Sequence, residues 1–297
     1  MAFFLSLLGG LLWGFLGFLL LPIIGLIGAL FNPALSPKII MRLYRSQAIS
    51  IQQAPVLIEL ITVLSQRAGL KSPPTIHYIN SQTLNAFAVG SRKQSAIAVT
   101  DGLLRQLSLR EIAAVLGHEI SHIRNNDLWV MGLADTFSRI SSAFSFIGLF
   151  LLFINLPLLL FTNVMISWPA IALLIFAPHL TALAQLALSR VREYDADLNA
   201  AKLTNDPVGL AHALAKIEHI QGGWLEKILM PGRRIPTPSL LRTHPKTEDR
   251  IQRLTALKPS VDDKVLEELR RAEFDAHNIF GVPTRRRPRW HINGLWH

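Results

Sequence analysis

The feature that most constrains this chain is a pair of long segments that contain no charged side chain. No Asp, Glu, Lys or Arg occurs from Met1 to Pro37, and none occurs from Ile140 to Ser189. A helix needs about 20 apolar residues to cross the hydrocarbon core of a bilayer. Both segments are therefore predicted to form membrane helices. The alternative, a buried hairpin in a soluble protein, would have to cover an unusually long uncharged surface.

The first segment, residues 1–37, is predicted to be an N-terminal membrane anchor. It lacks the basic start of a signal peptide, and its apolar run is longer than the apolar part of one. The run from Phe3 to Phe31 accommodates either one tilted span or two short spans broken near Pro22. The number of crossings stays open at this point.

The second segment, residues 141–188, is predicted to be a transmembrane hairpin. Its two helices are expected near Ala143–Phe161 and Trp168–Leu186, with an uncharged connection around Thr162 and Asn163. Basic residues flank the outer ends of both uncharged segments, and positive charge favours the cytoplasmic side. The polar regions on either side of the hairpin are therefore expected in the cytoplasm. The flanking residues are Lys38, Arg42, Arg45, Arg139, Arg190 and Arg192.

Composition narrows the chemistry that is available to the chain. The net charge is +10, but the sequence contains no recognisable nucleic-acid module, so attraction to an anionic lipid bilayer explains the charge better and no nucleic-acid partner is expected. There is no cysteine. Disulfides, thiolate catalysis and cysteine-ligated zinc are therefore excluded, and any bound metal must rest on His and carboxylate groups.

The polar region at residues 38–140 is predicted to combine helices with a small antiparallel sheet. Short runs of β-forming residues are separated by turn-forming ones, and the intervals between them suit hairpin connections. A helix is expected at Ile51–Ala68, followed by strands at Thr75–Ile79, Leu84–Val89 and Ser95–Thr100.

A second helix of this region carries the sequence His118-Glu119-Ile120-Ser121-His122. We predict that it begins at Ser108, where Ser108 and Glu111 form a capping box. Residues four apart share a helix face, so both histidines can point at one metal ion. Glu119 lies beside them and can take a proton from a water at the metal.

A catalytic zinc usually has three protein ligands, so a third is expected elsewhere. In residues 189–260, predicted to be helical at Ser189–Lys202, Pro207–Ile220 and Lys246–Leu257, the acidic pair Glu193 and Asp197 shares one face. Glu193 is predicted to bind the metal, and Asp197 to accept the second imidazole N–H of a ligating histidine. The alternative is an exposed acidic face that is paired with neighbouring arginines.

Four motifs in order resemble the HtpX-type membrane metallopeptidases, gluzincins that are related to the CAAX prenyl proteases. The resemblance extends from about Ile51 to Leu257. It is carried by Asn85-Ala86-Phe87-Ala88, by His118–His122, by the segment Arg192–Asp197, and by Thr243-His244-Pro245.

The resemblance implies an α+β, mainly helical, gluzincin-like peptidase domain with transmembrane helices and one Zn²⁺ per chain, held by His118, His122 and Glu193. It makes Glu119 the catalytic glutamate and His244 a candidate for stabilising the oxyanion. The segment Asn85–Ala88 would be an edge strand that pairs with substrate, although an ordinary hairpin strand is the alternative. Residues 261–297, with a predicted helix at Val261–Asn278 and a basic tail, have no counterpart in the family pattern.

These features predict an endopeptidase that cleaves membrane or membrane-adjacent proteins, in stress-related quality control at the bacterial inner membrane. The active site is expected to face the cytoplasm. A prenyl-protein processing peptidase would share the same residues, but such enzymes have many more spans. A non-catalytic scaffold that uses zinc for folding is the other alternative, and the presence of Glu119 argues against it.

Overall fold

The protein is described by a computed structural model that covers residues 2–30, 36–161, 168–221 and 247–257. The chain divides into two units. The apolar unit consists of Met1–Pro33 and Trp129–Ser189, and the polar unit consists of Ala34–Leu128 and Arg190–His297. The predicted connection at Thr162 and Asn163 lies outside the described residues, as does everything after residue 257.

Helices account for most of the described chain, and four strands form one sheet, so the predicted α+β, mainly helical architecture is confirmed. In order, the elements are α1 Ala2–Leu30, α2 Pro37–Leu43, β1 Gln47–Ala48, α3 Pro55–Arg67, β2 Thr75–Ile79, β3 Ala86–Gly90, β4 Ser95–Thr100, α4 Asp101–Gln106, α5 Leu109–Asn125, α6 Asp127–Phe161, α7 Trp168–Thr204, α8 Pro207–Gln221 and α9 Thr247–Thr255.

Helix α1 doubles back on itself. Gly14 has a φ of +67°, a conformation that glycine adopts readily because it has no Cβ. A Cβ built on Gly9 would lie 3.0 Å from the Cβ of Leu21, whereas residues twelve apart in a straight helix are separated by about 18 Å. The break therefore lies at Gly14 and not near Pro22, which lies inside the helix. Its second limb, Gly14–Gly28, is apolar but shorter than a usual span.

Two helices of the described chain are long and apolar enough to cross a membrane, judged by length and composition. The qualifying stretches are Asp127–Asn155 of α6 and Ile171–Thr204 of α7. Both helices extend beyond the predicted spans: α6 begins at Asp127, and α7 continues through the helix predicted at Ser189–Lys202. Charged residues set where a span leaves the bilayer, but they do not end a helix.

The sheet of the polar unit has the strand order β1-β2-β4-β3 and is mixed. β1 pairs with β2 and β3 pairs with β4 in antiparallel fashion, whereas β2 and β4 are parallel. The predicted all-antiparallel sheet is wrong at this pair, because β3 folds outside β4 instead of between β2 and β4. As a result, β3 lies at an edge of the sheet.

The core of the polar unit lies between this sheet and helices α3 and α5. Large aliphatic side chains from all three elements are fully buried there and account for most of the hydrophobic stabilisation of the unit. Its largest members include Leu57, Leu60, Leu64, Ile97, Ile112, Leu116 and Ile120. This packing fixes α5 against the inner face of the sheet.

Candidate metal centre

Helix α5 carries the two histidines and the glutamate of the predicted motif. Its start is fixed by the predicted capping box: the Ser108 amide donates to the Glu111 carboxylate at 2.8 Å, and the Ser108 hydroxyl accepts from the Glu111 amide. Behind the motif, a Cβ on Gly117 would lie 3.2 Å from Thr204 of α7. Close packing of α5 on the end of α7 brings the acidic pair of α7 toward the histidines.

Three potential ligand groups converge, those of His118, His122 and Glu193. The Nε2 atoms of the two histidines are 3.1 Å apart, and they lie 3.5 and 3.6 Å from the nearest Glu193 carboxylate oxygens. Tetrahedral zinc with bonds of about 2.0–2.1 Å separates its ligand atoms by about 3.3 Å. The spacing of the donor atoms therefore fits a zinc ion.

The opposite side of each imidazole faces a carboxylate. His118 Nδ1 lies 3.0 Å from Asp197, and His122 Nδ1 lies 2.9 Å from Asp127. These carboxylates favour a proton on Nδ1, which leaves the two Nε2 atoms, 3.1 Å apart, as the metal-facing donors. Two imidazole nitrogens and a carboxylate are common zinc ligands, so the chemistry of the donor set also fits a divalent metal.

Asp127 is a residue that the sequence reasoning missed. It follows Asn126, whose φ of +57° ends α5 and turns the chain back toward His122. The Asp127 side chain is almost fully buried and also pairs with Arg192 at 3.2 Å. An acidic residue just after a helix end was the available signal, but its direction depends on the left-handed conformation of Asn126.

Arg250 of α9 is the second missed residue. Its guanidinium contacts Glu193 at 3.1 Å and holds both carboxylate oxygens of Asp197, at 2.6 and 2.7 Å. Although burial opposes it, this pairing raises the pKa of Arg250. Arg250 lies 53 positions after Asp197, so no local spacing in the sequence connects them.

His118 has a strongly shifted acid–base equilibrium. Burial acts to lower its pKa, but the hydrogen bonds and negative charges of Asp197 and Glu193 outweigh burial and raise the pKa to about 10. The pocket around His118 therefore has a marked preference for positive charge, which favours a bound cation as well.

The predicted catalytic Glu119 lies between the histidines and strand β3. Its Oε2 accepts a hydrogen bond of 2.8 Å from the amide of Ala88. Alternate residues of an edge strand turn their backbone groups outward, so the amides of Ala86 and Ala88 both face away from β4. Of the other predicted strand residues, Phe87 is buried in β3, and Asn85 precedes the strand, where its backbone is bonded to Thr100.

His244 lies outside the described residues, together with its neighbours Thr243 and Pro245. Its proposed part in stabilising an oxyanion is therefore carried by the motif alone. The predicted helix Val261–Asn278 and the basic tail also lie outside the described residues.

A helix that offers two histidines and a glutamate, with a second carboxylate opposite and an edge strand alongside, defines a metallopeptidase type of site. Residues 52–258 match the sequence profile described as peptidase family M48. The chain belongs to peptidase family M48.

Two relatives of similar sequence agree with this assignment. A "Protease HtpX homolog" of Paraburkholderia phytofirmans is 34% identical over 260 residues, which cover 83% of this chain and 90% of that protein. Another from Thermococcus sibiricus is 35% identical and covers 74% of this chain and 79% of that protein. Among solved structures, S. mikatae Ste24p gives a TM-score of 0.47 at 20% identity, over 84% of this chain and 61% of that one. The predicted resemblance to HtpX-type metallopeptidases is confirmed.

Proposed function

We propose that this chain is a zinc-dependent endopeptidase that cleaves membrane or membrane-adjacent proteins. The observation that carries the proposal is the convergence of His118, His122 and Glu193, whose nearest donor atoms are separated by 3.1–3.6 Å beside Glu119. These three residues would hold one Zn²⁺ per chain. When bound, the ion polarises the carbonyl of the scissile bond and lowers the pKa of a water at its open position.

Glu119 is the general base of the proposed reaction. The amide of Ala88 holds one carboxylate oxygen, which fixes the direction of the group. Glu119 takes a proton from the attacking water as the water oxygen bonds to the carbonyl carbon, and it then passes that proton to the departing amine as the C–N bond breaks. His244 is proposed to stabilise the negative charge that develops on the carbonyl oxygen.

The edge of β3 is the proposed binding surface for substrate, at Asn85–Ala88. An extended peptide can add to a free sheet edge through backbone hydrogen bonds, with little dependence on its sequence. The amide of Ala86 points outward on the same edge as the Ala88 amide, which Glu119 binds. Substrate held there would have its backbone beside the catalytic carboxylate.

The membrane setting narrows the class of substrate. The candidate spans in α6 and α7 interrupt the chain between His122 and Glu193, so the site would be tethered close to the bilayer. Damaged or unassembled membrane proteins expose extended segments there. We therefore assign the enzyme to membrane-protein quality control under stress, in the bacterial inner membrane with its site facing the cytoplasm.

The test is cleavage by the purified full chain in zinc-containing proteoliposomes. The substrate is a membrane protein with an unfolded segment on the side that carries the polar unit. The wild type should cleave it and Glu119→Gln should not, while the exposed Glu59→Gln serves as a control with normal activity. Equal cleavage by wild type and Glu119→Gln would contradict the proposal. Retained zinc with no cleavage of any substrate by the wild type would favour a structural role for the metal.

A further inference from the structure

Helix α2 exposes an unusual face. Met41 is buried, and the neighbouring Ile40 and Tyr44 pack into the small hydrophobic cluster on the sheet. On the other side, Ile39 is 51% exposed and Leu43 is 61% exposed. These two residues, called here the aliphatic pair, lie four apart and share a face. A helix on the surface of a soluble unit usually shows polar residues there.

Positive charge surrounds the aliphatic pair. Lys38 and Arg42 are exposed on α2, again four residues apart. Gly90 ends β3 so close to α2 that an added Cβ would lie 2.6 Å from Pro37, which places the β3–β4 turn, with exposed Arg92 and Lys93, beside the helix start. Lys38, Arg42, Arg92 and Lys93 are called the basic group.

The sequence around α2 provides no acidic counterpart. The first 58 residues contain no Asp or Glu, and neither do β3, β4 or the turn that joins them. Aliphatic residues flanked by Lys and Arg on one helix face are typical of helices that lie in a bilayer interface. A surface of anionic phosphates complements the basic group, and the acyl boundary accepts the aliphatic pair.

Chain connectivity also favours a bilayer as the partner. α2 begins seven residues after the end of α1, whose sequence contains no charged residue. A connection of that length reaches at most about 25 Å. If α1 is anchored in the membrane, α2 cannot lie far from the lipid headgroups.

We propose that α2 is a lipid-contact helix that binds an anionic bilayer through the aliphatic pair and the basic group. Its inner face packs on the sheet, where the rings of Tyr44 and Phe87 lie 4.9 Å apart. Because Phe87 belongs to β3, contact of α2 with lipid would hold the proposed substrate-binding edge at the membrane surface. This inference rests on the proposed membrane setting, and it adds that substrate would be bound at the membrane surface.

The absence of cysteine allows a direct test with single-cysteine variants of the full chain. Leu43→Cys is labelled with an environment-sensitive fluorophore and placed in nanodiscs of phosphatidylcholine and phosphatidylglycerol. The acyl chains of these lipids are brominated, so they quench a fluorophore that contacts them. Phe150→Cys, at an exposed apolar position of α6, reports membrane insertion, and Lys71→Cys, exposed on the polar unit, is the control. We expect quenching at positions 43 and 150 and none at position 71. Ile39→Cys should behave like Leu43→Cys.

The role of charge is tested in the same samples. Replacing the basic group by glutamine, or using phosphatidylcholine alone, should reduce quenching at position 43 at least twofold and leave position 150 unchanged. Quenching at position 150 but not at position 43 would overturn the proposal while leaving the membrane setting intact. Absence of quenching at both positions would contradict the membrane setting itself. Equal quenching at position 43 in neutral lipid would contradict the anionic partner.

Discussion

At the scale of single residues, the candidate centre depends on how each imidazole is oriented. Asp197 and Asp127 hold the Nδ1 atoms of His118 and His122, so that both Nε2 atoms face Glu193. Arg250 compensates part of the negative charge of Glu193 and Asp197. Arg250 therefore holds both buried carboxylates in place without being a metal ligand itself.

The first prediction concerns Asp127. Replacing it with Asn removes the charge that orients His122, and loss of such a partner typically lowers metal affinity by about 10–100-fold. The affinity is measured by competition with a chelator, and the absorption spectrum of the cobalt-substituted protein reports the geometry of the ligands. We expect Asp127→Asn to bind metal more weakly and to have an altered cobalt absorption spectrum.

Asp206→Asn is the matched control for this experiment. Asp206 is also buried and bonded to an arginine, Arg110, through both carboxylate oxygens at 2.6 and 2.9 Å. Its carboxylate is held by Arg110 and by the amide of Gly209, neither of which belongs to the proposed metal site. If both variants lose metal to the same extent, Asp127 acts only through stability and its positioning role is wrong.

How much of the site the sequence could predict depends on how close together in the chain its residues lie. His118, Glu119 and His122 lie within about one and a half helical turns, so their spacing predicts a metal site. Glu193 and Asp197 share a helix face, and the histidine helix favours them as its partners. The position of Asp127 after a helix end is a local signal, but the direction of its side chain depends on the left-handed Asn126. Arg250 carries no local pattern, because α9 reaches the site through tertiary packing against α8 and its neighbours.

At the scale of elements, the edge position of β3 decides what the site can bind. Strands β2 and β4 are parallel because β3 lies outside β4, an order that hairpin-length intervals in the sequence could not reveal. The predicted bounds of two strands, Thr75–Ile79 and Ser95–Thr100, are confirmed, whereas the strand predicted at Leu84–Val89 is found at Ala86–Gly90. Helix α1 contains six glycines and one proline, so the sequence does not single out Gly14, whose positive φ reverses the chain.

The second prediction tests the free edge of β3. Ala86→Pro removes one outward amide, and loss of a hydrogen bond worth about 0.5–1.5 kcal/mol should lower kcat/KM for an extended peptide by about twofold to tenfold. Bound zinc should not change, because Ala86 does not contact the ligands. Steady-state kinetics and metal analysis on the same preparation measure both quantities.

Ala48→Pro is the control at the opposite edge. The amide of Ile49 donates to Ile76 at 2.9 Å, so the alternation of the strand turns the neighbouring Ala48 amide away from β2. Strand β1 lies at the opposite edge of the sheet from β3, so removing its outward amide should leave the kinetics normal. An unchanged kcat/KM in Ala86→Pro, or an equal loss in Ala48→Pro, would contradict pairing of substrate with β3.

At the scale of the whole molecule, the candidate site is assembled from two segments of chain that flank a pair of apolar helices. His118 and His122 precede α6, and Glu193 follows the apolar part of α7. The long uncharged runs made this arrangement predictable in outline. The sequence did not predict that α6 and α7 continue as helices beyond the apolar runs. Charged residues limit the length of a membrane span, but they do not end a helix.

The third prediction concerns topology. Reporter fusions after Thr162 should be external, and fusions after Lys202 should be cytoplasmic, because basic residues flank the outer ends of the hairpin. Paired alkaline phosphatase and fluorescent-protein fusions measure this directly. If residues 38–140 and the segment after Lys202 were on opposite sides, the three ligands could not meet at one ion.

The most direct test of the central claim is the zinc content and cleavage activity of two purified variants, Glu119→Gln and Glu193→Gln. Because Glu119 is assigned to proton transfer and Glu193 to metal binding, we expect Glu119→Gln to retain one zinc per chain and lose cleavage. Glu193→Gln should lose both. Loss of zinc in both variants, or its full retention in both, would contradict the assignment of roles on which the account depends.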